Sequence, residues 1–68
     1  MRLTFEAITS TEYPDKMTLG DLLRYKEIEL LPWLFVSVNN VFIKKEHFDT
    51  LELHENDRID LVYFAGGG

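Results

Sequence analysis

The sequence predicts a single α+β domain in which one short helix packs on a small sheet. Three observations support this prediction. The chain has only 68 residues, several short stretches alternate apolar and polar residues, and one stretch carries apolar residues at helical spacing. A chain of this length has room for one hydrophobic core, so neither a second domain nor a large cleft is expected.

Two strands are predicted before the helix. Residues 3–8 alternate apolar and polar side chains with a period of two, which predicts one half-buried strand. Around Tyr13, turn-forming residues surround a weaker strand. Pro14 lacks the amide hydrogen that an inner strand needs, so this second strand is expected at an edge of the sheet.

The helix is predicted to begin directly after Thr18. A threonine followed three residues later by an acid, here Asp21, is a helix N-capping signal. The helix is predicted to end before Pro32, since a residue that precedes proline is disfavoured in helical conformation. The residues expected to pack on the sheet are Leu19, Leu22 and Leu23.

A hairpin is the clearest element of the second half. Residues 34–39 and 41–43 are strand-like, and Asn39 and Asn40 between them tolerate the positive φ angles of a tight two-residue turn. A short turn or single helical coil follows at 44–49, then a short strand around 51–53 and a last strand at 58–64. This order predicts a β-grasp (ubiquitin-like) fold: a mixed sheet of four to five strands with one packed helix over residues 1–64, and a flexible tail at 65–68.

Charge and composition narrow the possible functions. The net charge is −5 and there is no cysteine, which excludes thiolate chemistry on a side chain and fits a reducing cytoplasm. The whole excess of acids lies in residues 46–68. Such a surface repels nucleic acid and anionic membranes and favours a partner with a basic docking face. The alternative is that the acids only keep a small domain soluble. No apolar run reaches the roughly 20 residues of a membrane span, and Glu6 interrupts any secretory signal, so the protein is expected in the cytoplasm.

The tail carries the predicted chemistry. Three of the four glycines are Gly66, Gly67 and Gly68. Without side chains, such a segment is flexible and can enter a narrow channel, and it reaches about 13 Å when extended. Its terminal carboxylate is a poor electrophile until it is activated, for example as a mixed anhydride with AMP. The alternative is that these glycines are a frayed end or a cloning remnant.

The second half resembles the ThiS family of sulfur carriers, which belongs to the wider ThiS/MoaD group. Residues 38–48 read VNNVFIKKEHF, residues 51–53 read LEL, and residues 56–68 read NDRIDLVYFAGGG. The family pattern is Val-Asn, a short apolar strand, a polar turn with an aromatic residue, an Asp-containing turn, a final strand and a terminal Gly-Gly. Gly67 matches the penultimate family glycine, whereas Gly66 falls where other residues also occur.

The resemblance implies a complete reaction sequence centred on Gly68. A ThiF/MoeB-like adenylyltransferase, related to the ubiquitin-activating enzymes, would adenylate Gly68 at the expense of ATP. A persulfide sulfur donor would convert the adenylate to a thiocarboxylate, and a thiazole synthase making the thiazole of thiamine would take the sulfur. The chain itself would bind no cofactor and would not be an enzyme.

A docking surface is predicted beside the tail. Val62 and Phe64 are expected on the outer face of the last strand, with Phe42 nearby, where they could dock on the activating enzyme. The alternative is that the helix or another strand covers them. Trp33 is expected to be core or rim packing. The spacing of His47 and His54 fits no familiar zinc-ligand pattern, so no metal site is predicted.

Three other functions remain open on the sequence. The chain could be the small subunit of molybdopterin synthase, although such chains are usually longer. It could be a ubiquitin-like modifier joined to lysines. It could also be a non-catalytic β-grasp interaction module whose terminal glycines are incidental.

Overall fold

The computed structural model describes residues 1–64 and shows a five-stranded mixed sheet with one α-helix. The strands are β1 (Leu3–Phe5), β2 (Ile8–Ser10), β3 (Leu34–Val38), β4 (Val41–Ile43) and β5 (Asp57–Tyr63), and the helix is α1 (Leu19–Tyr25). The sheet order is β2-β1-β5-β3-β4. Strands β1 and β5 are parallel, and all other neighbours are antiparallel. The predicted α+β β-grasp fold is confirmed.

The predicted single strand at 3–8 is wrong, because the chain reverses in its middle. Glu6 and Ala7 have φ angles of 51° and 67°, and the hairpin they form pairs Phe5 with Ile8. The turn is fixed from outside: the Glu6 amide donates to the Ile59 carbonyl at 3.0 Å, and the Leu61 amide donates to the Glu6 carboxylate. These contacts with β5 compensate for two residues that carry no strong turn preference.

The second strand is β2, so the prediction of a strand around Tyr13 is also wrong. Tyr13 lies outside the strands and is buried. Its carbonyl accepts a hydrogen bond from the Met1 ammonium at 2.6 Å. The Lys26 Nζ stands 5.2 Å from the centre of its ring, in cation–π geometry. Tyr13 is therefore a core residue that lies outside the sheet.

The helix begins where the capping signal predicts. The Asp21 amide donates to Thr18 Oγ1 and the Thr18 amide donates to Asp21 Oδ2, both at 3.1 Å, which is a reciprocal capping box. The helix ends at Tyr25, well before Pro32. Glu27 adopts a left-handed φ of 57°, and the Ile28 amide bonds back to the Leu23 carbonyl at 2.9 Å, as in a Schellman termination.

The capping box predicts a pH dependence of stability. The hydrogen bond from the Thr18 amide, and then that from Arg24, hold the pKa of Asp21 below its ordinary value of 3.8. A carboxyl whose folded-state pKa is lowered contributes stability above its unfolded pKa and loses it as the pH falls through the folded pKa. We expect the difference in unfolding free energy between the wild type and Asp21→Asn to be constant above about pH 5 and to shrink below about pH 4. Urea denaturation at each pH measures it, and a pH-independent difference would contradict the assignment.

The hairpin of β3 and β4 is confirmed. Asn39 and Asn40 have φ angles of 52° and 68°, the left-handed conformations of a two-residue turn. The Asn39 side chain also ties the turn to β5: its Nδ2 donates to Asp57 Oδ1 and its Oδ1 accepts from the Arg58 amide, both at 2.9 Å. The Asn39 side chain therefore connects the Val-Asn segment of the family pattern to its Asp-containing turn.

The remaining elements follow the prediction with two differences. The polar segment after β4 contains a single 3₁₀ turn at Lys45–His47. The short strand predicted around 51–53 is reduced to one bridge between Thr18 and Glu52. Strand β5 lies one residue earlier than predicted. The core comprises the predicted helix leucines, residues of β1, β3 and β5, and residues of the connecting segments: Leu3, Phe5, Tyr13, Met17, Leu19, Leu22, Leu23, Leu34, Val36, Val38, Phe48, Leu53 and Ile59.

No helix within residues 1–64 has the length and apolar character needed to cross a membrane.

Candidate docking face and tail attachment

The alternation of β3 defines two faces of the sheet. Leu34, Val36 and Val38 are buried in the core shared with α1, so Phe35 points to the opposite face. We call that side of the sheet the outer face. The strand register places Phe35 opposite Val62, and Ser37 between Phe42 and Asp60. Paired residues share a face, so β3, β4 and β5 each contribute to the outer face beside the tail.

Four apolar side chains form one cluster on this face. The Phe35 ring lies 4.9 Å from the Phe64 ring and 6.4 Å from the Phe42 ring, and both pairs meet edge to face. The three rings are between 44% and 59% exposed, and Val62 is half-buried. We call Phe35, Phe42, Val62 and Phe64 the outer-face cluster. An exposed apolar cluster of this kind is typical of an interaction site.

The structure brings together the three residues proposed from sequence. Phe42 and Phe64 are exposed, so neither the helix nor another described strand covers them, whereas Val62 is partly covered. The sequence interpretation missed Phe35, which contacts both other rings. The signal was available, because Phe35 lies between two inward residues of β3 and the alternation that buries them turns it outward. Whether these residues bind a partner stays a prediction.

The other half of the outer face is polar. Thr4 and Thr9 share a hydrogen bond of 2.9 Å between their hydroxyl oxygens. Arg58, which pairs with Thr4 in the register, donates through Nε to Asp60 Oδ2 at 3.0 Å. The apolar part of the face is therefore confined to the side of β3, β4 and the end of β5. A partner that docks on this part would lie next to the tail.

A groove continues the cluster around the free edge of β4. Its volume is about 620 Å³, and Phe35 and Phe42 form part of its wall. On its other side lies the segment after β4, where Lys45 Nζ donates to the Leu31 carbonyl at 2.9 Å. The groove has predominantly apolar walls, and the charged segment 44–46 also lines it. The groove therefore extends the apolar surface of the outer-face cluster.

The tail begins at a fixed point. The Phe64 amide donates to the Trp33 carbonyl at 3.0 Å, so hydrogen bonding to the segment before β3 extends one residue beyond β5. Trp33 itself is half-exposed at the rim. Gly66, Gly67 and Gly68, the residues to which the sequence assigns the chemistry, lie outside the described residues.

Metal chemistry finds no support in the described part of the chain. Within residues 1–64, no three His, Asp or Glu side chains come together as ligands for one ion. His47 lies in the 3₁₀ turn and His54 precedes the turn into β5. Neither histidine belongs to such a group among these residues.

Comparison with known proteins gives a family match over nearly the whole chain. A model of the ThiS family matches residues 4–68. No match was found among curated protein sequences. A crystal structure of the thiamine biosynthesis protein ThiS from Geobacter metallireducens is similar, with a TM-score of 0.86, 26% identity and full coverage of both chains.

A solution structure of a thiamine biosynthesis protein from the same organism is also similar. Its TM-score is 0.77 at 23% identity, with all of this chain and 88% of that chain covered. At this identity the second likeness bears on the fold alone.

Proposed function

Because the chain belongs to the ThiS family, we propose that it is a sulfur carrier whose C-terminal glycine transports sulfur as a thiocarboxylate, for the thiazole of thiamine. One observation carries the proposal: the family match runs from residue 4 to residue 68 and so includes the terminal glycines. The similar crystal structure is described as a thiamine biosynthesis protein, which favours the thiamine pathway over molybdopterin synthesis.

The chemistry of a carboxylate explains why a partner has to supply ATP. An α-carboxyl ordinarily has a pKa of about 3.5, so it is ionised at neutral pH and resists nucleophilic attack. Attack of the Gly68 carboxylate on the α-phosphorus of ATP forms an acyl adenylate and releases pyrophosphate. A persulfide sulfur then attacks the acyl carbon and AMP leaves. A thiol reduces the resulting sulfur–sulfur bond, and the thiocarboxylate remains on Gly68.

The division of labour follows from this scheme. The catalytic groups and the nucleotide site belong to a ThiF/MoeB-like adenylyltransferase, the sulfur comes from a persulfide donor, and a thiazole synthase receives it. This chain acts as the substrate in each step and binds no cofactor of its own. The absence of cysteine from the sequence is compatible with a sulfur held at the chain end.

The outer-face cluster is proposed as the surface by which the adenylyltransferase holds the folded domain. Three observations support this role. The cluster is aromatic and exposed, no helix or strand within residues 1–64 covers it, and it includes Phe64, the residue from which the tail begins. Aromatic residues are enriched at the energetic centres of protein interfaces. Docking there would hold the tail close to the active site of the adenylyltransferase, so that the Gly68 carboxylate is positioned for its reaction with ATP.

Intact-mass analysis tests the proposed function. We expect the chain, incubated with an adenylyltransferase of this class, ATP, a persulfide donor and a thiol, to gain the mass difference between sulfur and oxygen. Omission of ATP should prevent the gain, because the free carboxylate is unreactive. A mass that stays unchanged with several enzymes of this class would contradict the proposal. Instead, the C-terminal segment of this chain found in isopeptide linkage to lysines of other proteins would favour a protein modifier.

A further inference from the structure

Three exposed aromatic residues surround the point at which the tail leaves the domain. Trp33 is 50% exposed and Tyr63 is 52% exposed, and Phe64 is exposed to a similar degree. They are held together by backbone pairing: Tyr63 lies opposite Leu34, and the Phe64 amide bonds to the Trp33 carbonyl. We call Trp33, Tyr63 and Phe64 the tail collar.

The tail collar has exposed residues on both faces of the sheet, whereas the outer-face cluster lies on one face. Phe64 contacts Phe35 on the outer face. Tyr63 is paired with Leu34, whose side chain belongs to the core, so Tyr63 lies on the helix side of the sheet. Exposed aromatic surface therefore lies on both faces at the end of β5. A partner that docks flat on the outer face would leave Tyr63 uncovered.

The length of the tail limits how far a partner's active site can lie from the tail collar. The proposed reactive group, the carboxyl of Gly68, is four residues past Phe64. If Gly67 and Gly68 occupy a channel, only residues 65 and 66 separate its entrance from Phe64, and two residues span at most about 7 Å. An α-helix is about 10 Å across. No further helix fits between the tail collar and the entrance.

From this geometry we infer that Trp33 and Tyr63 contact the entrance of the active-site channel in every enzyme that acts on Gly68, whatever else that enzyme touches. The inference rests on the proposed function. The surface that contacts the tail collar is the apolar protein wall around the channel that binds the tail. This wall carries a hydrogen-bonding group near the Tyr63 hydroxyl. Closing the channel at the tail collar excludes water from the acyl adenylate and the thiocarboxylate, which water would otherwise hydrolyse.

Serine substitutions test the inference in two reactions. We expect Trp33→Ser and Tyr63→Ser each to lower kcat/KM about tenfold, both for adenylation and for sulfur transfer from the loaded chain to the thiazole synthase. Tyr25→Ser is the matched control, since Tyr25 is a tyrosine of similar exposure (59%) that packs against Tyr13. It should change either value less than about twofold. Thermal unfolding of each variant establishes that it is folded.

A lengthened tail separates contact from an indirect effect on the fold. Four residues, Gly-Ser-Gly-Ser, inserted between Phe64 and Ala65 double the maximum reach to about 26 Å. The channel entrance then no longer has to meet the tail collar. We expect the losses caused by Trp33→Ser and Tyr63→Ser to fall to less than about threefold in this background.

Two outcomes would overturn the inference while leaving the proposed function intact. In one, the wild-type chain is loaded with sulfur and both serine variants react at the wild-type rate. In the other, the losses are equally large in the short-tail and long-tail backgrounds, which indicates an effect through folding. Failure of the wild-type chain to accept sulfur at all would instead contradict the proposed function and, with it, the inference.

Discussion

Deleting Gly67 and Gly68 is expected to abolish sulfur loading completely while changing the free energy of unfolding by less than about 0.5 kcal/mol. The chemistry is lost because the deletion leaves Gly66 as the terminal residue, and its carboxyl is two residues, up to about 7 Å, short of the position to be activated. A displacement of about 1 Å can already cost a hundredfold in rate. The fold persists, since the described core and sheet lie within residues 1–64.

Two measurements on the same sample check this prediction. Intact mass after incubation with ATP and a persulfide donor reports loading, and urea denaturation reports stability. Ala65→Ser is the control, because it changes the tail but keeps its length and its three glycines; it should load normally. If the truncated chain still supports thiazole formation, the glycines are incidental and the chain is an interaction module.

Local signals predicted those parts of the fold that local bonds stabilise. The capping box needs only Thr18 and Asp21, three residues apart, and the hairpin turn needs only Asn39 and Asn40. Each of these elements begins where the sequence places it. The helix end was harder to locate, because Glu27 adopts a left-handed conformation that no glycine marks. A signal confined to a few neighbouring residues is therefore the most reliable part of such an interpretation.

The errors occur where distant residues determine the local structure. Glu6 and Ala7 form a turn because Ile59 and Leu61 of β5 bond to Glu6. The residues near position 6 carry no signal that predicts this turn. The strand expected around 51–53 is a single bridge for a similar reason, because this segment bonds to residues near the start of the helix. The Leu53 amide donates to the Met17 carbonyl at 2.8 Å, and the Leu51 carbonyl accepts from the Leu19 amide at 2.9 Å.

The candidate site likewise includes residues that local patterns predict and residues that depend on contacts between distant parts of the chain. Alternation along β5 and β4 was sufficient to propose Val62, Phe64 and Phe42 as one surface. Phe35 was missed because β3 was treated only as a source of core residues. The tail collar could not be found from sequence, since it depends on pairing that brings Trp33 beside Phe64 across 31 positions of the chain.

Truncating the exposed rings of the outer-face cluster should weaken binding to the adenylyltransferase more than it slows the adenylation step. Phe42→Ala and Phe64→Ala are each expected to raise the KM of the adenylyltransferase for this chain about thirtyfold, equivalent to about 2 kcal/mol for an aromatic residue at the centre of an interface. The kcat should stay within about twofold for Phe42→Ala, because a contact made equally in the ground state and the transition state affects KM alone. Phe64→Ala should lower kcat as well, since Phe64 also belongs to the tail collar.

The double variant distinguishes one docking site from two. Phe42 and Phe64 both contact Phe35, so a single partner surface would cover all three rings and the two losses should not add. Ile8→Ala is the control: Ile8 is 71% exposed but lies in β2, at the opposite edge of the sheet. The rate of pyrophosphate release against carrier concentration gives KM and kcat. Folded Phe42→Ala and Phe64→Ala chains with the wild-type KM would show that the adenylyltransferase binds elsewhere, whereas equal losses from Ile8→Ala would place the contact on the edge of β2.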